Sequence, residues 1–308
     1  MITTAVSITG ILQAYSYADP YSIKRSSMTK YIMTTQSEDR IGIVAALTTC
    51  LSEHSGFITE LAQFGTPTSE RFFSRIEFKI DDRDYPLFQR SIESISKRLS
   101  LDVKIAPKSH KTKTLLMVSK FDHCLADLLY RTQTNSLPIE ITAIVSNHLD
   151  TKHHAEKSNL PFYHIPISKI TKSEAEAELK TVLEHTGTEL IVLARYMQIL
   201  SNQLCEAYSG RIINIHHSFL PSFKGAKPYH RAYQLGVKLI GATAHYVTAD
   251  LDEGPIIEQS VKRVDHTMTP DKLIAIGRDV ESQTLAQAVK LHAEYRSFIN
   301  GSKTVILP

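Results

Sequence analysis

Residues 211–221 read RIINIHHSFLP, a short apolar strand pattern that ends in a cluster of polar side chains. Alternate residues of a strand share a face, so Asn214 and His216 are predicted to point the same way. In open α/β sheets, ligands bind beyond the carboxyl ends of the strands, which is where this pair falls. An amide donor beside an imidazole suits a carbonyl group whose oxygen becomes negative during a reaction. The stretch therefore predicts a sheet edge that carries chemistry.

Short apolar strands alternate with amphipathic helices on both sides of this stretch. The strands are predicted at 115–118, 139–145, 162–165, 190–193, 212–215, 240–247 and 256–264. The helices are predicted near 123–131, 151–158, 173–185, 201–208 and 270–298. This alternation is typical of an α/β fold, here a mostly parallel, Rossmann-like sheet with helices on both faces.

The first third of the chain follows a different order. Residues 29–107 read as βαββαβ, the ferredoxin-like order, with four strands around two helices. The polar, basic stretch 108–113 is interpreted as a linker, and 114–308 as the second domain. Residues 1–28 show no sustained period and are interpreted as an N-terminal extension, with Met28 as the hypothesised natural start.

The composition is that of an ordinary globular chain: 308 residues, 42% apolar and 22% charged. The net charge of +3 does not predict nucleic-acid binding, which usually shows a concentrated basic face. No apolar run approaches the roughly 20 residues that a membrane span needs, so no membrane partner is expected. Three scattered cysteines favour a reducing cytoplasm over a disulfide framework or a structural zinc site.

A second polar loop follows the strand predicted at 240–247. Residues 250–255, DLDEGP, form a turn-prone acidic loop between two predicted strands, and the loop can supply a carboxylate to the same cleft. No pair of histidines four residues apart stands near a carboxylate, so no metal is predicted. The Asn-x-His pattern is a weak signal for catalysis when taken without its surroundings. These residues leave a purely structural role open.

Four strings in this region resemble the formyltransferases that depend on 10-formyltetrahydrofolate. They are 214–221 (NIHHSFLP), 224–225 (KG), 241–245 (GATAH) and 251–257 (LDEGPII). The resemblance covers about 114–300 and implies Asn214, His216 and Asp252 as the catalytic residues. It implies a folate-binding loop made of Arg195, Tyr196, Met197, Gln198, Ile199 and Leu200. It also places three histidines in or near the cleft, with packing as their alternative role: His217, His230 and His245.

The stretch 118–125 contains no glycine, and this distinguishes the chain from one class of these formyltransferases. Glycinamide ribonucleotide transformylases carry a glycine-rich loop there, since glycine lets backbone N–H groups close around a phosphate. Methionyl-tRNA formyltransferases add a C-terminal β domain, whereas this chain ends about ten residues after its last predicted helix. The chain is instead similar throughout to the formyltetrahydrofolate deformylases, including the strings at 119–125 and 145–148 and an N-terminal ACT domain.

This resemblance implies a hydrolase that converts 10-formyltetrahydrofolate to tetrahydrofolate and formate without a cofactor. The formate would supply purine synthesis, and the reaction would balance one-carbon pools. Asp252 is expected to orient the attacking water, and an apolar folate pocket is expected to raise its pKa. Two alternatives stay open: a formyltransferase with another acceptor, and a non-catalytic regulator that binds folate or an amino acid.

The resemblance also implies a role for the strand-to-helix turn of the ACT domain. In this family such turns offer backbone N–H groups to small amino acids, here methionine or glycine. The expected effector residues are Asp39, Arg40, Ile41, Gly42 and Ile43. The domain is expected to form a homo-oligomer, and oligomerisation without effector binding is the alternative.

Overall fold

The computed structural model describes residues 28–66, 70–168, 171–218, 220 and 228–308. The predicted extension at residues 1–27 lies outside the described residues, and Met28 opens the first strand. The three cysteines are free and buried. Among the described helices, none is both long and apolar enough to cross a membrane.

The N-terminal sheet has four antiparallel strands in the order β2-β3-β1-β4, with two helices on one face. Its core forms because apolar side chains of the strands and helices meet in one cluster, which includes Met33, Leu47, Phe78 and Phe88. This order confirms the ferredoxin-like prediction. The elements are β1 (Met28–Glu38), α1 (Ile43–Glu53), β2 (Phe57–Thr66), β3 (Arg71–Asp81), α2 (Tyr85–Leu99) and β4 (Asp102–Pro107).

The second sheet has seven strands in the order β11-β10-β9-β8-β5-β6-β7, and helices cover both of its faces. Strands β5 to β9 are parallel, whereas β10 and β11 are antiparallel. The elements are β5 (Thr112–Val118), α3 (His123–Gln133), β6 (Ile139–Ser146), α4 (Lys152–Ser158), β7 (Phe162–His164), α5 (Lys172–His185), β8 (Leu190–Leu193), α6 (Asn202–Ala207), β9 (Ile212–His216), α7 (Pro228–Leu235), β10 (Leu239–Tyr246), β11 (Ile256–Arg263) and α8 (Pro270–Ala293).

At strand β5 the order in which the chain adds strands to this sheet reverses. From β5 the chain continues to β6 and β7 on one side and returns to β8 and β9 on the other. The loops after β5 and β8 therefore diverge and leave a crevice at the carboxyl edge, where ligands bind in open α/β sheets. The predicted mostly parallel sheet is confirmed, and its switch point lies beside the predicted folate loop.

Two predicted boundaries are wrong. The linker at 108–113 is shorter than predicted, because β5 already begins at Thr112. The last helix ends at Ala293 instead of near 298, since Tyr295 has φ 57°, a left-handed conformation that ends a helix. The apolar residues that follow form a hairpin of β12 (Ser297–Asn300) and β13 (Lys303–Ile306), which periodicity could not separate from the helix.

Arg75 joins the two sheets. Its side chain is 2% exposed, its Nε donates to the carbonyl oxygen of Glu294 at 2.9 Å, and its Nη1 lies 3.1 Å from Glu60. Arg296 binds the same Glu60 carboxylate at 2.9 Å. Because a buried guanidinium needs partners for its donors, this cluster holds β3 against the end of α8.

We predict that Arg75→Ala destabilises the protein strongly. Truncating a buried side chain of this size leaves a cavity and costs about 2–5 kcal/mol, and here it also leaves the carbonyl oxygen of Glu294 without its donor. Urea unfolding of the purified protein measures this loss. Arg83→Ala is the matched control, since Arg83 is 80% exposed in its pair with Asp81 and its removal is expected to leave the midpoint almost unchanged. Equal effects of the two substitutions would contradict this account of the junction.

Candidate active site

A cavity of about 230 Å³ lies at the carboxyl edge of the parallel sheet, beyond β8 and β9. The loop after β8 forms one wall, and the loop that joins β10 to β11 forms another. The cavity brings together the three predicted catalytic residues, all six residues of the predicted folate loop, and two of the three predicted histidines. These are Asn214, His216 and Asp252, then Arg195 to Leu200, and His217 and His245.

The central pair is His216 with Asp252. Nδ1 of His216 lies 3.3 Å from Oδ2 of Asp252, and the two side chains are 8% and 18% exposed. The turn that carries Asp252 is tight: Asp252 has φ 57°, and a Cβ on Gly254 would lie 1.8 Å from the carbonyl oxygen of Tyr246. Glycine at 254 is therefore required for this turn to close over β10 and aim Asp252 at the imidazole.

His245 connects Asn214 to the same carboxylate. Asn214 and His245 are cross-strand partners of β9 and β10, and Asn214 Nδ2 lies 3.3 Å from His245 Nε2. The other ring nitrogen of His245, Nδ1, donates to the carbonyl oxygen of Tyr246 at 2.9 Å, which fixes the ring. His245 Nε2 also lies 3.7 Å from Asp252 Oδ1. The amide, two imidazoles and the carboxylate thus form one chain of contacts.

The pKa of Asp252 shifts in the direction opposite to the prediction. Hydrogen bonds with His216 and His245 hold the pKa of this carboxyl well below its usual range and outweigh the burial that would raise it. The expectation of a raised pKa was therefore wrong, because it considered the apolar pocket and not the two imidazoles that strand pairing brings to the carboxylate. Asp252 is an anion at neutral pH.

His216 keeps one nitrogen available. Its Nδ1 faces Asp252, while its Nε2 is buried and has no hydrogen-bond partner among the described residues. A buried polar atom without a partner is costly in a protein interior and is commonly explained by a role in function. The free Nε2 therefore indicates where a ligand atom would be bound.

The predicted folate loop is anchored to the end of β5. The N–H of Ser119 donates to the carbonyl oxygen of Arg195 at 3.2 Å, and Ser119 Oγ accepts from the N–H of Met197 at 3.0 Å. Ser119 Oγ also donates to Asn147 at 2.7 Å. Within the loop, Met197 and Ile199 are 55% and 59% exposed, so their side chains are free to contact an apolar ring.

Other predicted residues do not meet at this cavity. His230 is exposed on α7 and is not among the residues that line the cavity, in contrast to its predicted place in the cleft. Residues 219, 221 and 224–225 of the quoted strings lie outside the described residues. Asp39 to Ile43 form the turn between β1 and α1 in the N-terminal sheet, where Gly42 has φ 94°.

Sequence reasoning missed Glu281. This residue lies on the buried face of α8 and is 1% exposed. Its carboxylate is 2.6 Å from the Tyr229 hydroxyl, 2.8 Å from His123 Nε2 and 3.3 Å from Arg195 Nε. The available signal was a glutamate on the apolar face of a helix, between Val280 and Leu285, because buried carboxylates are rare unless paired.

Two groups of possible metal ligands occur among the described residues. The first is Asp122, His153 and His154, and the second is His123, Cys124 and Glu281. In the second group, His123 Nε2 is already bound to Glu281, and burial raises the pKa of the Cys124 thiol, which disfavours the thiolate that metals bind. Neither of these two groups is among the residues that line the cavity.

Comparison with known proteins agrees with this fold. The Formyl transferase family profile matches residues 112–289, which is more than half of the chain and includes the whole cavity. The glycinamide ribonucleotide transformylase 1 of Symbiobacterium toebii is 28% identical, with a TM-score of 0.61 over 66% of this chain and 97% of that chain. The second domain thus belongs to the formyl transferase class of enzymes.

Relatives that match nearly the whole chain point to one family within this class. The formyltetrahydrofolate deformylase of Corynebacterium sp. (strain P-1) is 48% identical over 92% of this chain and 99% of the relative. The crystal structure of the formyltetrahydrofolate deformylase of Burkholderia mallei is also 48% identical, with a TM-score of 0.87 over 90% of this chain and 99% of that chain. The chain belongs to the formyltetrahydrofolate deformylase family.

We predict that His217 makes stability depend on pH. Burial, and then the charges of Arg195 and His216, lower the pKa of His217 to about 4, whereas a free histidine has a pKa of about 6.5. Between these values the unfolded chain binds a proton that the folded chain does not. The free energy of unfolding therefore rises with pH across this window, by up to about 1.4 kcal/mol per pH unit from this residue.

Urea unfolding at several pH values measures this slope. His217→Asn is expected to reduce it, with the buried His292, whose pKa is also lowered to about 4, accounting for part of the remainder. His266→Asn is the control because His266 is exposed, and its slope is expected to equal that of the unaltered protein. A slope unaffected by His217→Asn would contradict the prediction.

Proposed function

We propose that Asn214, His216 and Asp252 carry the hydrolysis of 10-formyltetrahydrofolate to tetrahydrofolate and formate, the reaction that defines the family of this chain. The observation that supports this assignment is the meeting of an amide, an imidazole and an ionised carboxylate in one cavity next to the loop 195–200. This arrangement supplies donors for a developing oxyanion together with a proton acceptor.

The folate would bind along the loop after β8. Met197 and Ile199 offer apolar surface to the pterin ring, and the backbone of the loop is held in place by Ser119. The formyl group on N10 would then lie near Asn214 and His216. A remaining N–H of the Asn214 amide and Nε2–H of a protonated His216 would donate to the formyl oxygen, which becomes negative as the tetrahedral intermediate forms.

Water would attack the formyl carbon beside Asp252. The carboxylate orients the water and accepts one of its protons as the C–O bond forms, while the two donors hold the oxyanion. Asp252 then passes this proton to N10, the C–N10 bond breaks as the oxyanion collapses, and tetrahydrofolate and formate leave. Because its pKa is lowered, Asp252 holds the proton only during the transfer, and as an anion it also stabilises the protonated imidazole of His216.

Water is favoured over an amine acceptor by the residues that follow β5. The stretch 118–125 has no glycine, and its Ser119 and His123 side chains are bound within the protein. A phosphorylated amine therefore finds no cradle of backbone N–H groups at this position. We further propose that the reaction needs no cofactor, takes place in the cytoplasm, and supplies formate to purine synthesis while balancing one-carbon pools.

The prediction for the site is tested by formate release from 10-formyltetrahydrofolate without any acceptor. Asp252→Asn is expected to lower kcat by at least about 10²–10³, the range for loss of one transition-state contact, while the variant remains folded and binds the folate. Glu253→Gln is the matched control, because Glu253 is an exposed carboxylate on the same turn and does not line the cavity. Full activity in Asp252→Asn would refute the assignment, and release only with an added amine would identify a transferase.

We propose that residues 29–107 act as an ACT regulatory and oligomerisation domain, joined by residues 108–111 to the catalytic domain that begins with β5. The β1–α1 turn supports binding of a small amino acid. Helix α1 begins at Ile43 without a side-chain cap, so its first N–H groups are open to a ligand carboxylate. Asp39 and Arg40 are exposed beside this turn and offer charges to the ligand.

Calorimetry with methionine and with glycine tests this turn. We expect one of the two to bind, to change the rate of formate release, and to bind at least about tenfold more weakly to Asp39→Asn, the equivalent of about 1.4 kcal/mol. Glu93→Gln, on helix α2, serves as a control because Glu93 is exposed away from the turn. Absence of binding by both amino acids would leave the domain with a role in oligomerisation only.

A further inference from the structure

Glu281 is a buried charge for which the proposed reaction gives no role. Taking a carboxylate out of water costs several kcal/mol, so a fully buried glutamate on an otherwise apolar helix face requires compensation. In this protein the compensation comes from three other elements of the catalytic domain. They are the loop after β8, the start of α3 and the start of α7.

Both carboxylate oxygens of Glu281 are bound. Oε1 accepts from the Tyr229 hydroxyl at 2.6 Å, while Oε2 faces His123 Nε2 at 2.8 Å and Arg195 Nε at 3.3 Å. Gly277, one turn earlier on α8, makes the approach of Tyr229 possible, because a Cβ there would lie 2.1 Å from the tyrosine ring. The helix thus provides both the space for the ring and the acceptor for its hydroxyl.

The carboxylate of Glu281 is ionised. Burial alone would raise its pKa, but the hydrogen bond from His123, the charge of Arg195 and the Tyr229 hydroxyl together bring the pKa of Glu281 below its usual value. The partner responds in the expected direction, since burial and the charge of Glu281 raise the pKa of Tyr229. Glu281 and Arg195 therefore form a buried pair of opposite charges.

Arg195 connects this pair to the cavity. It is the first residue of the cavity-lining loop, and it has φ 66°, a conformation that is unfavourable for a residue with a side chain. Its Nε lies 3.3 Å from Oε2 of Glu281, an ion-pair contact without hydrogen-bond geometry, its guanidinium lies 6.0 Å from the Phe121 ring, and its carbonyl oxygen accepts from the N–H of Ser119. The ion pair therefore stabilises the strained residue from which the loop starts.

The same pair sets the charge beside the catalytic imidazole. The rings of His216 and His217 are 4.9 Å apart, and the charges of Arg195 and Glu281 act on His217 in opposite directions. With Glu281 ionised, part of the effect of the Arg195 charge on His217 is cancelled. Without that negative charge, the guanidinium would disfavour any protonated imidazole nearby.

We propose that Glu281 is a positioning residue for hydrolysis: through Arg195 it holds the folate-binding loop, and its charge allows the protonated imidazole that the reaction uses. This inference rests on the proposed function. It assigns no contact between Glu281 and the substrate.

Glu281→Gln tests both parts, because glutamine keeps the shape and removes the charge. The KM for 10-formyltetrahydrofolate is expected to rise about tenfold, the equivalent of about 1.4 kcal/mol of lost binding. The alkaline limb of the kcat profile is expected to move to lower pH by on the order of one unit, because the unopposed guanidinium disfavours a protonated imidazole. In the double variant Glu281→Gln/Arg195→Met, the alkaline limb is expected to return to the pH it has in the unaltered protein, while KM stays high.

Glu176→Gln is the matched control. Glu176 is also a buried glutamate, and its Oε1 accepts from the N–H of Ser201 at 2.7 Å at the other end of the same loop. Its substitution is expected to raise KM and to leave the alkaline limb in place. A shift of the limb in Glu176→Gln equal to that in Glu281→Gln would overturn the electrostatic part of the proposal.

The proposal and the proposed function fail in different ways. An unchanged KM and an unchanged pH profile in folded Glu281→Gln would overturn the proposal, while the loss of activity in Asp252→Asn would still support the reaction. If Glu281→Gln does not fold, Arg195→Met tests the anchor by itself. Its KM is expected to rise about tenfold, and an unchanged KM would overturn the role given to the ion pair.

Discussion

The antiparallel pairing of β9 with β10 is the constraint on which the site depends. It sets Asn214 opposite His245 and His216 opposite Thr243, and the turn after β10 returns Asp252 to both imidazoles. A slip of one residue would move these side chains to the other face of the sheet. The buried apolar residues of β9 prevent such a slip, since their face of the sheet packs in the core.

Two carboxylates near the cavity are ionised for different reasons. Asp252 sits at the edge of the cavity, where two imidazoles lower its pKa and solvent still reaches it. Glu281 is buried in the protein and depends on Arg195, His123 and Tyr229 for its charge. The first is placed to act on the substrate, whereas the second acts on the residues that shape the cavity. Burial and partners, more than residue type, decide these roles.

Helix α8 relates the cavity to the N-terminal sheet. Glu281 lies in its middle and the carbonyl oxygen of Glu294 at its end accepts from Arg75 of β3. At 1.5 Å per residue, these positions are separated by about 20 Å along one helix. The two sheets therefore meet through a rigid element that also pairs, through Glu281, with Arg195 of the cavity wall, and the C-terminal hairpin, with Phe298 against Phe73, completes the junction.

The sequence by itself determined the two sheets, the order of their elements along the chain and the pair of Asn214 and His216 at a strand end, because periodicity and strand-end polarity are local properties of a chain. Its resemblance to a family indicated Asp252 and the loop 195–200. Only the tertiary structure decided the direction of the pKa shift of Asp252, the end of α8, and the network of Glu281 and Arg75. These depend on contacts between residues as far apart as positions 75 and 294, and no local pattern encodes which distant charges will be buried together.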